Sequence, residues 1–109
     1  MDEVYVVNKY KLSPEQQKQA VYIGRGSIFG NPFVMDKNNS RDDVCDAYQR
    51  YFYKRLENDL EFRESVEKLA DKALSESVNL MCFCAPKRCH GDIIKEYINQ
   101  VLNEKVLIS

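Results

Sequence analysis

The amino-acid sequence predicts an α/β fold, a small sandwich in which a short mixed sheet is covered by helices, with residues 1–109 forming one domain. Three observations carry this. Short β-branched and aromatic runs stand early and late in the chain. Between them, long stretches repeat apolar residues every three or four positions. Two glycine- and proline-bearing segments each directly follow an apolar run. A chain of 109 residues suits one domain of common size and is too short for two.

The elements follow in order. Val4 to Val7 reads as a strand. Ser13-Pro14-Glu15 reads as a cap and first turn of a short helix. Ala20 to Ile23 is a second short strand, ended by Gly24, with Gly26, Gly30 and Pro32 close behind. From Ser40 the period changes: Val44, Ala47, Tyr48, Tyr51, Phe52 and Leu56 mark one face of a helix. Ser40 can cap it, and Asp42 and Asp43 suit its positive end. Asn58 or Asp59 starts a second long helix, with Leu60, Phe62, Val66, Leu69, Ala70, Ala73 and Leu74 as apolar positions. Val78 to Cys84 fits a buried strand. Ile93 to Leu102 is a final helix, and Val106 to Ile108 is expected to add a short edge strand.

Composition narrows the function. Hydrophobic residues make up 44% and charged residues 30%, the balance of a soluble globular protein, and no apolar run approaches the roughly 20 residues that cross a bilayer. Met1-Asp2-Glu3 carries acid where a signal peptide carries positive charge, so a cytoplasmic protein is expected. Formal net charge is -1, which argues against nucleic acid held by bulk charge, although the sixteen Lys and Arg leave room for a local basic pocket. In a reducing compartment the four cysteines, Cys45, Cys82, Cys84 and Cys89, are expected as thiols, with Cys45 a small buried hydrophobe in a helix.

The chemistry concentrates in two loops. In Gly24 to Phe33 the glycines allow close approach to bare backbone, and Arg25 offers a planar donor fork for phosphate or carboxylate. Ser27 and Asn31 add hydrogen-bonding groups, and Phe29 and Phe33 could stack on a base or anchor the loop. The spacing fits neither the P-loop nor the dinucleotide fingerprint. In Cys84 to Asp92, Gly91 and Asp92 lead into the final helix, whose free N–H groups attract anions, with Lys87 and Arg88 adding charge. His90 can act as general acid or base, and Asp92 can orient it, share that role, or simply cap the helix. Cys89 beside His90 is a minor nucleophile candidate. Cys82 and Cys84 share a strand face and read either as core or, with Cys89 and His90, as a zinc set, although adjacent Cys89 and His90 diverge and no paired Cys-x-x-Cys knuckles occur. Arg41 is an additional anion contact, and Tyr48 or Tyr53 could reach the site. Since both loops follow strands, they are expected to share one edge of the sheet, where open α/β sheets bind ligands.

The two loops resemble those of the small family known as domain of unknown function 4326, found in bacteria, archaea and phages. Tyr22 to Arg25, Gly30 to Phe33, Arg41 with Tyr48, Cys82 with Cys84, and Cys89 to Asp92 carry the likeness. The family label has no established activity. Its Rossmann-like look implies kinship with nucleotide- or nucleoside-handling domains, and its occurrence in phages suggests capture or destruction of a host nucleotide signal. The expected function is binding of a small phosphorylated nucleotide or nucleoside-type ligand by Gly24, Arg25, Gly26, Ser27, Phe29, Gly30, Asn31, Arg41, Cys89 and Gly91. The ligand is either sequestered, or hydrolysed at an N-glycosidic or phosphate bond with His90 and Asp92 as acid and base. No cofactor is expected. The alternative is a zinc-stabilised interaction module using Cys82, Cys84, Cys89 and His90. A homo-oligomer completing the site across subunits is the expected assembly, with no membrane partner and no nucleic acid.

Overall fold

The β-branched opening run forms β1 (Val4–Asn8) in the computed structural model, which describes residues 3–108, with side chains described through residue 104. A short 3-10 turn (Lys9–Lys11) follows, then helix α1 (Pro14–Gln19). Ser13 accepts from the Gln16 amide while the Gln16 side chain accepts from the Ser13 amide, and Pro14 fills the first helical position where no amide is needed. Strand β2 (Val21–Tyr22) leads into the first loop.

Helix α2 (Arg41–Asn58) begins as its sequence dictates. Ser40 accepts from the Asp43 amide and the Asp43 carboxylate returns the bond to Ser40. Asp59 ends α2 and starts α3 (Leu60–Ser75): its amide donates to the Arg55 carbonyl and its carboxylate accepts from the Phe62 amide. Strand β3 (Val78–Cys82) precedes the second loop, and α4 (His90–Ile108) closes the chain. The expected edge strand at Val106 to Ile108 is instead the end of α4. No glycine or proline interrupts Ile93 to Ile108, so the helical ladder runs on.

The α/β class is as expected, but the sheet is parallel where the sequence suggested a mixed one. Strand order is β1-β3-β2, with Val4 beside Val78 and Val21 beside Leu80. Helices separate every pair of consecutive strands, and such crossovers, unlike hairpins, return the chain in the same direction. Helices α3 and α4 pack on β3, α4 also on β1, and α2 lies against α3 and α4. Tyr48, Phe52, Phe62, Leu80, Ile94 and Ile98 fill the fully buried centre. Because all strands run the same way, the segments that follow them open along one edge. Among the described residues no helix is long and apolar enough to cross a membrane.

Candidate functional site

The first loop is built by its own backbone. The Ser27 amide and hydroxyl both donate to the Gly24 carbonyl, at 3.1 and 2.6 Å, and the Gly30 amide donates to the Ser27 carbonyl. These consecutive turns fold the segment back on itself. A Cβ on Gly30 would lie 2.8 Å from the Gly24 carbonyl oxygen, so this position tolerates only glycine without a backbone shift. Gly26 has φ of +91°, open to glycine at no steric cost. Three side chains tie the loop down. Tyr48, fully buried on α2, donates its hydroxyl to the Phe29 carbonyl at 2.8 Å. Arg55 donates to the Ile28 carbonyl while holding Asp59 through two bonds and stacking on Phe62. Asn31 donates to the Val44 carbonyl and accepts from the Phe33 amide.

The second loop is fixed from both ends. Asn8, at the end of β1, donates to the Phe83 and Ala85 carbonyls. The Asp92 carboxylate accepts from the Cys89 amide, and the Asp92 amide donates to the Cys89 carbonyl, which closes the first turn of α4. The Gly91 amide points to the Cys89 sulfur. The Cys89, Gly91 and Asp92 amides around the start of α4 therefore have partners within the protein. Gly91 lets the helix start lie close to the sheet, for a Cβ there would meet Ile23 Cδ1 at 2.8 Å and Val6 Cγ1 at 3.0 Å. Arg88 pairs with Asp42 and Asp46, both at 2.9 Å, and its carbonyl accepts from Arg41. These contacts lock the second loop to the start of α2.

Both loops line one cavity of about 250 Å³ at the carboxyl edge of the sheet. Cys45, Cys82, Cys89 and His90 are buried in its walls, whereas Arg25, Phe33 and Phe83 are exposed at its opening. All four cysteines of the chain line it, Cys45 included. Arg25 and Arg41 reach it without a carboxylate partner among the described residues, while Arg88 is neutralised by its two aspartates. The free positive charge therefore comes from Arg25 and Arg41.

His90 presents a defined face. Its Nε2 lies 2.6 Å from the Ile23 carbonyl, an acceptor, so Nε2 carries the proton. Its ring packs edge-on to Tyr48 at 5.0 Å. Burial pushes its pKa below the ordinary imidazole value, against the opposing pulls of the Ile23 carbonyl and the Asp92 charge. The neutral ring leaves the Nδ1 lone pair without a partner among the described residues. Among the described residues no fully buried side-chain nitrogen or oxygen lacks a partner, so Nδ1 is not fully sealed from solvent.

Cys82 and Cys89 lie sulfur to sulfur at 3.6 Å. The Cys84 and Ala85 amides point to Cys82 and the Gly91 amide to Cys89, so either thiol can donate to the other, and Cys82 has the greater amide support. The Cys89 thiol, with the Cys84 and Ala85 amides, lowers the Cys82 pKa against the cost of burial. The same bond and burial push Cys89 up.

The remaining expected site residues divide. Gly24, Asn31 and Cys89 line the cavity with Arg25 and Arg41. Gly26, Ser27 and Gly30 line a separate shallow depression with Arg25, Asn31 and Pro32. Phe29 is in the core against Phe62, so it anchors the loop and offers no face to a base. Gly91 packs on the sheet, and Asp92 is an exposed cap that does not line the cavity. Tyr48 acts from beneath, and Tyr53 packs on Phe52 and Tyr97 away from the cavity. Cys82, Cys84, Cys89 and His90 do not converge on a common point: His90 is turned to Ile23, and among the described residues no group of three or more His, Cys, Asp or Glu is arranged to hold a metal. Tyr22, Met35, Val44 and Phe83 complete the lining; Tyr22 stands in a motif of the family likeness and Val44 among the helix positions, but none of the four was expected as a site residue. Apolar residues flanking a loop carry no signal that separates a cavity wall from core.

Fold and site define a small parallel α/β domain with a ligand-sized cavity between the loops that follow β2 and β3. The chain belongs to the family described as Domain of unknown function (DUF4326), whose model matches residues 6–100. It is also 31% identical over 99 residues to an uncharacterized 12.4 kDa protein in the nrdA-td intergenic region of Enterobacteria phage T4, an alignment covering 91% of this chain and 81% of that protein. No solved structure matches the chain.

Proposed function

We propose that the cavity binds a small phosphorylated nucleotide or nucleoside-type ligand. One observation carries the reading: two loops some sixty positions apart in the chain line one recess that has two arginines without a carboxylate partner among the described residues, aromatic rings at its opening and apolar walls behind them. Arg25 and Arg41 supply guanidinium groups for a phosphate, in the planar geometry that favours bidentate contacts. Tyr22, Phe33 and Phe83 offer rings against which a base or sugar can pack. At about 250 Å³ the space lies just below the usual range of roughly 300–1,000 Å³ for drug-sized ligands, which favours a mononucleotide over anything larger.

His90 favours a second reading, hydrolysis of the ligand at an N-glycosidic or phosphate bond. Its Nδ1 is an unused base in the cavity wall, and Asp92 holds the turn that aims it. Sequestration without turnover is the function if that base has no proton to take.

The test is incubation of the purified protein with a mixture of nucleoside mono-, di- and triphosphates and cyclic nucleotides, then isolation, denaturation and mass spectrometry. Intact ligand supports capture, and a converted product abolished by His90→Ala supports hydrolysis. Arg25→Ala with Arg41→Ala should weaken retention at least tenfold, since a hydrogen bond to a charged group contributes about 1.5–3 kcal/mol and each 1.4 kcal/mol is about tenfold. Neither retention nor turnover of any member would overturn the reading. Light scattering of the same sample tests the homo-oligomer.

A further inference from the structure

We propose that Cys82 and Cys89 are a redox-active dithiol that a peroxide closes into a disulfide inside the cavity wall. The inference does not depend on which ligand the cavity holds.

Three features of the structure support it. The two sulfurs are 3.6 Å apart and need only approach to a bond of about 2.05 Å. They are anchored independently, Cys82 at the end of β3 and Cys89 at the start of α4, so their proximity is a product of the fold and not of a shared strand. Both sit in the wall of an open recess, which gives a small oxidant a path that an ordinary core cysteine lacks.

The surroundings assign the roles. Two amides, of Cys84 and Ala85, point to the Cys82 sulfur and one, of Gly91, to Cys89, so Cys82 better holds a negative charge and is the attacking sulfur. Its thiolate attacks one oxygen of hydrogen peroxide. An S–O bond forms, the O–O bond breaks, and the departing hydroxide takes a proton to become water. Cys89 then attacks the Cys82 sulfur. The S–O bond breaks, the S–S bond forms, and the oxygen leaves as a second water carrying the Cys89 proton. Two thiols and one peroxide give one disulfide and two waters, a balanced two-electron exchange. Cys84 is half-buried beside the pair but contributes its amide, and Cys45 sits on α2 without a sulfur partner within bonding reach among the described residues.

The experiment uses the full chain, reduced and then exposed to hydrogen peroxide, alkylated and mapped. Trypsin cuts after Lys87 and Arg88, between the two cysteines, so the bond would join two otherwise separate peptides. The expected result is loss of two thiols of the four, a mass decrease of about 2 Da that dithiothreitol reverses, and thiol loss about tenfold or more faster than at Cys45. Cys82→Ser and Cys89→Ser should each abolish the joined peptide, whereas Cys84→Ser should keep it. Should either serine variant fail to fold, the Cys45→Ser, Cys84→Ser double variant isolates the pair and must still form the bond. The proposal is overturned if the joined peptide persists in Cys82→Ser, if the double variant gives only sulfinic acid or intermolecular links, or if all four thiols survive peroxide that oxidises a free cysteine peptide.

Discussion

Replacing Tyr48 by Phe removes a single oxygen from the centre of the molecule, and the structure says what that oxygen does. Tyr48 is fully buried, and its hydroxyl is the partner of the Phe29 carbonyl at 2.8 Å. The Phe ring keeps the contacts to Tyr51, Phe52 and His90, so no cavity opens. What remains is a buried carbonyl stripped of its donor, which costs about 1–3 kcal/mol. In domains of 60–100 residues each kcal/mol is about 4–8 °C in Tm, so a chain of this length should lose at least about 4 °C. The chain has no tryptophan, so far-UV circular dichroism in urea is the suitable assay. The midpoint should fall at unchanged slope, because the surface exposed on unfolding is the same. Amide exchange should quicken at residues 24–33 more than in β3. A midpoint equal to the parent's would refute the claim that Tyr48 holds the first loop.

Gly30→Ala should cost about 1–3 kcal/mol by the same urea assay, because its methyl meets the Gly24 carbonyl, a backbone atom that cannot rotate away; a neutral variant would show the two turns to be looser than drawn. Acid should weaken the fold through His90. Its folded pKa lies below the unfolded value of about 6.5, so the unfolded chain binds more protons between those two values and stability falls as pH drops below about 6.5. His90→Gln keeps a donor for the Ile23 carbonyl but does not titrate. The parent should therefore lose more stability than His90→Gln between about pH 7 and 5, and parallel curves would sink the assignment.

Much of the frame was readable from the chain. Val44, Tyr48, Phe52 and Leu56 announce α2 because a helix repeats every 3.6 residues, and all four are buried. Ser13, Ser40 and Asp59 mark helix starts because their side chains satisfy amides that the helix leaves free. The two loops stood out because glycines and a histidine among cysteines do not suit regular structure. What could not be read was direction and distance. A three-residue apolar run such as Val106 to Ile108 fits a strand or a helix end equally well, and nothing local decides. The bonds that fasten the loops cross long gaps: Tyr48 to Phe29, Arg55 to Ile28, Arg88 to Asp42 and Asp46. Phe29 and Phe33 look alike in sequence, yet one is core and the other lines the cavity, because only the folded turns decide which ring faces inward.

The placement of charge bears on how a ligand would sit. An anion held at a helix start needs free amides, and around the start of α4 the Cys89, Asp92 and Gly91 amides are bonded to the Asp92 carboxylate, the Cys89 carbonyl and the Cys89 sulfur. The buried walls carry a neutral His90, and Arg88 is already paired. Among the described residues that line the cavity, Arg25 and Arg41 retain charge to offer, and Arg25 stands at the opening. In the proposed complex the phosphate therefore sits outward, and the uncharged part of the ligand enters toward His90 and the sulfurs. That orientation makes the N-glycosidic bond, and not the phosphate ester, the one within reach of Nδ1. Measuring released free base against released phosphate from the same nucleotide decides between them: base should appear first, and phosphate alone would reverse the orientation.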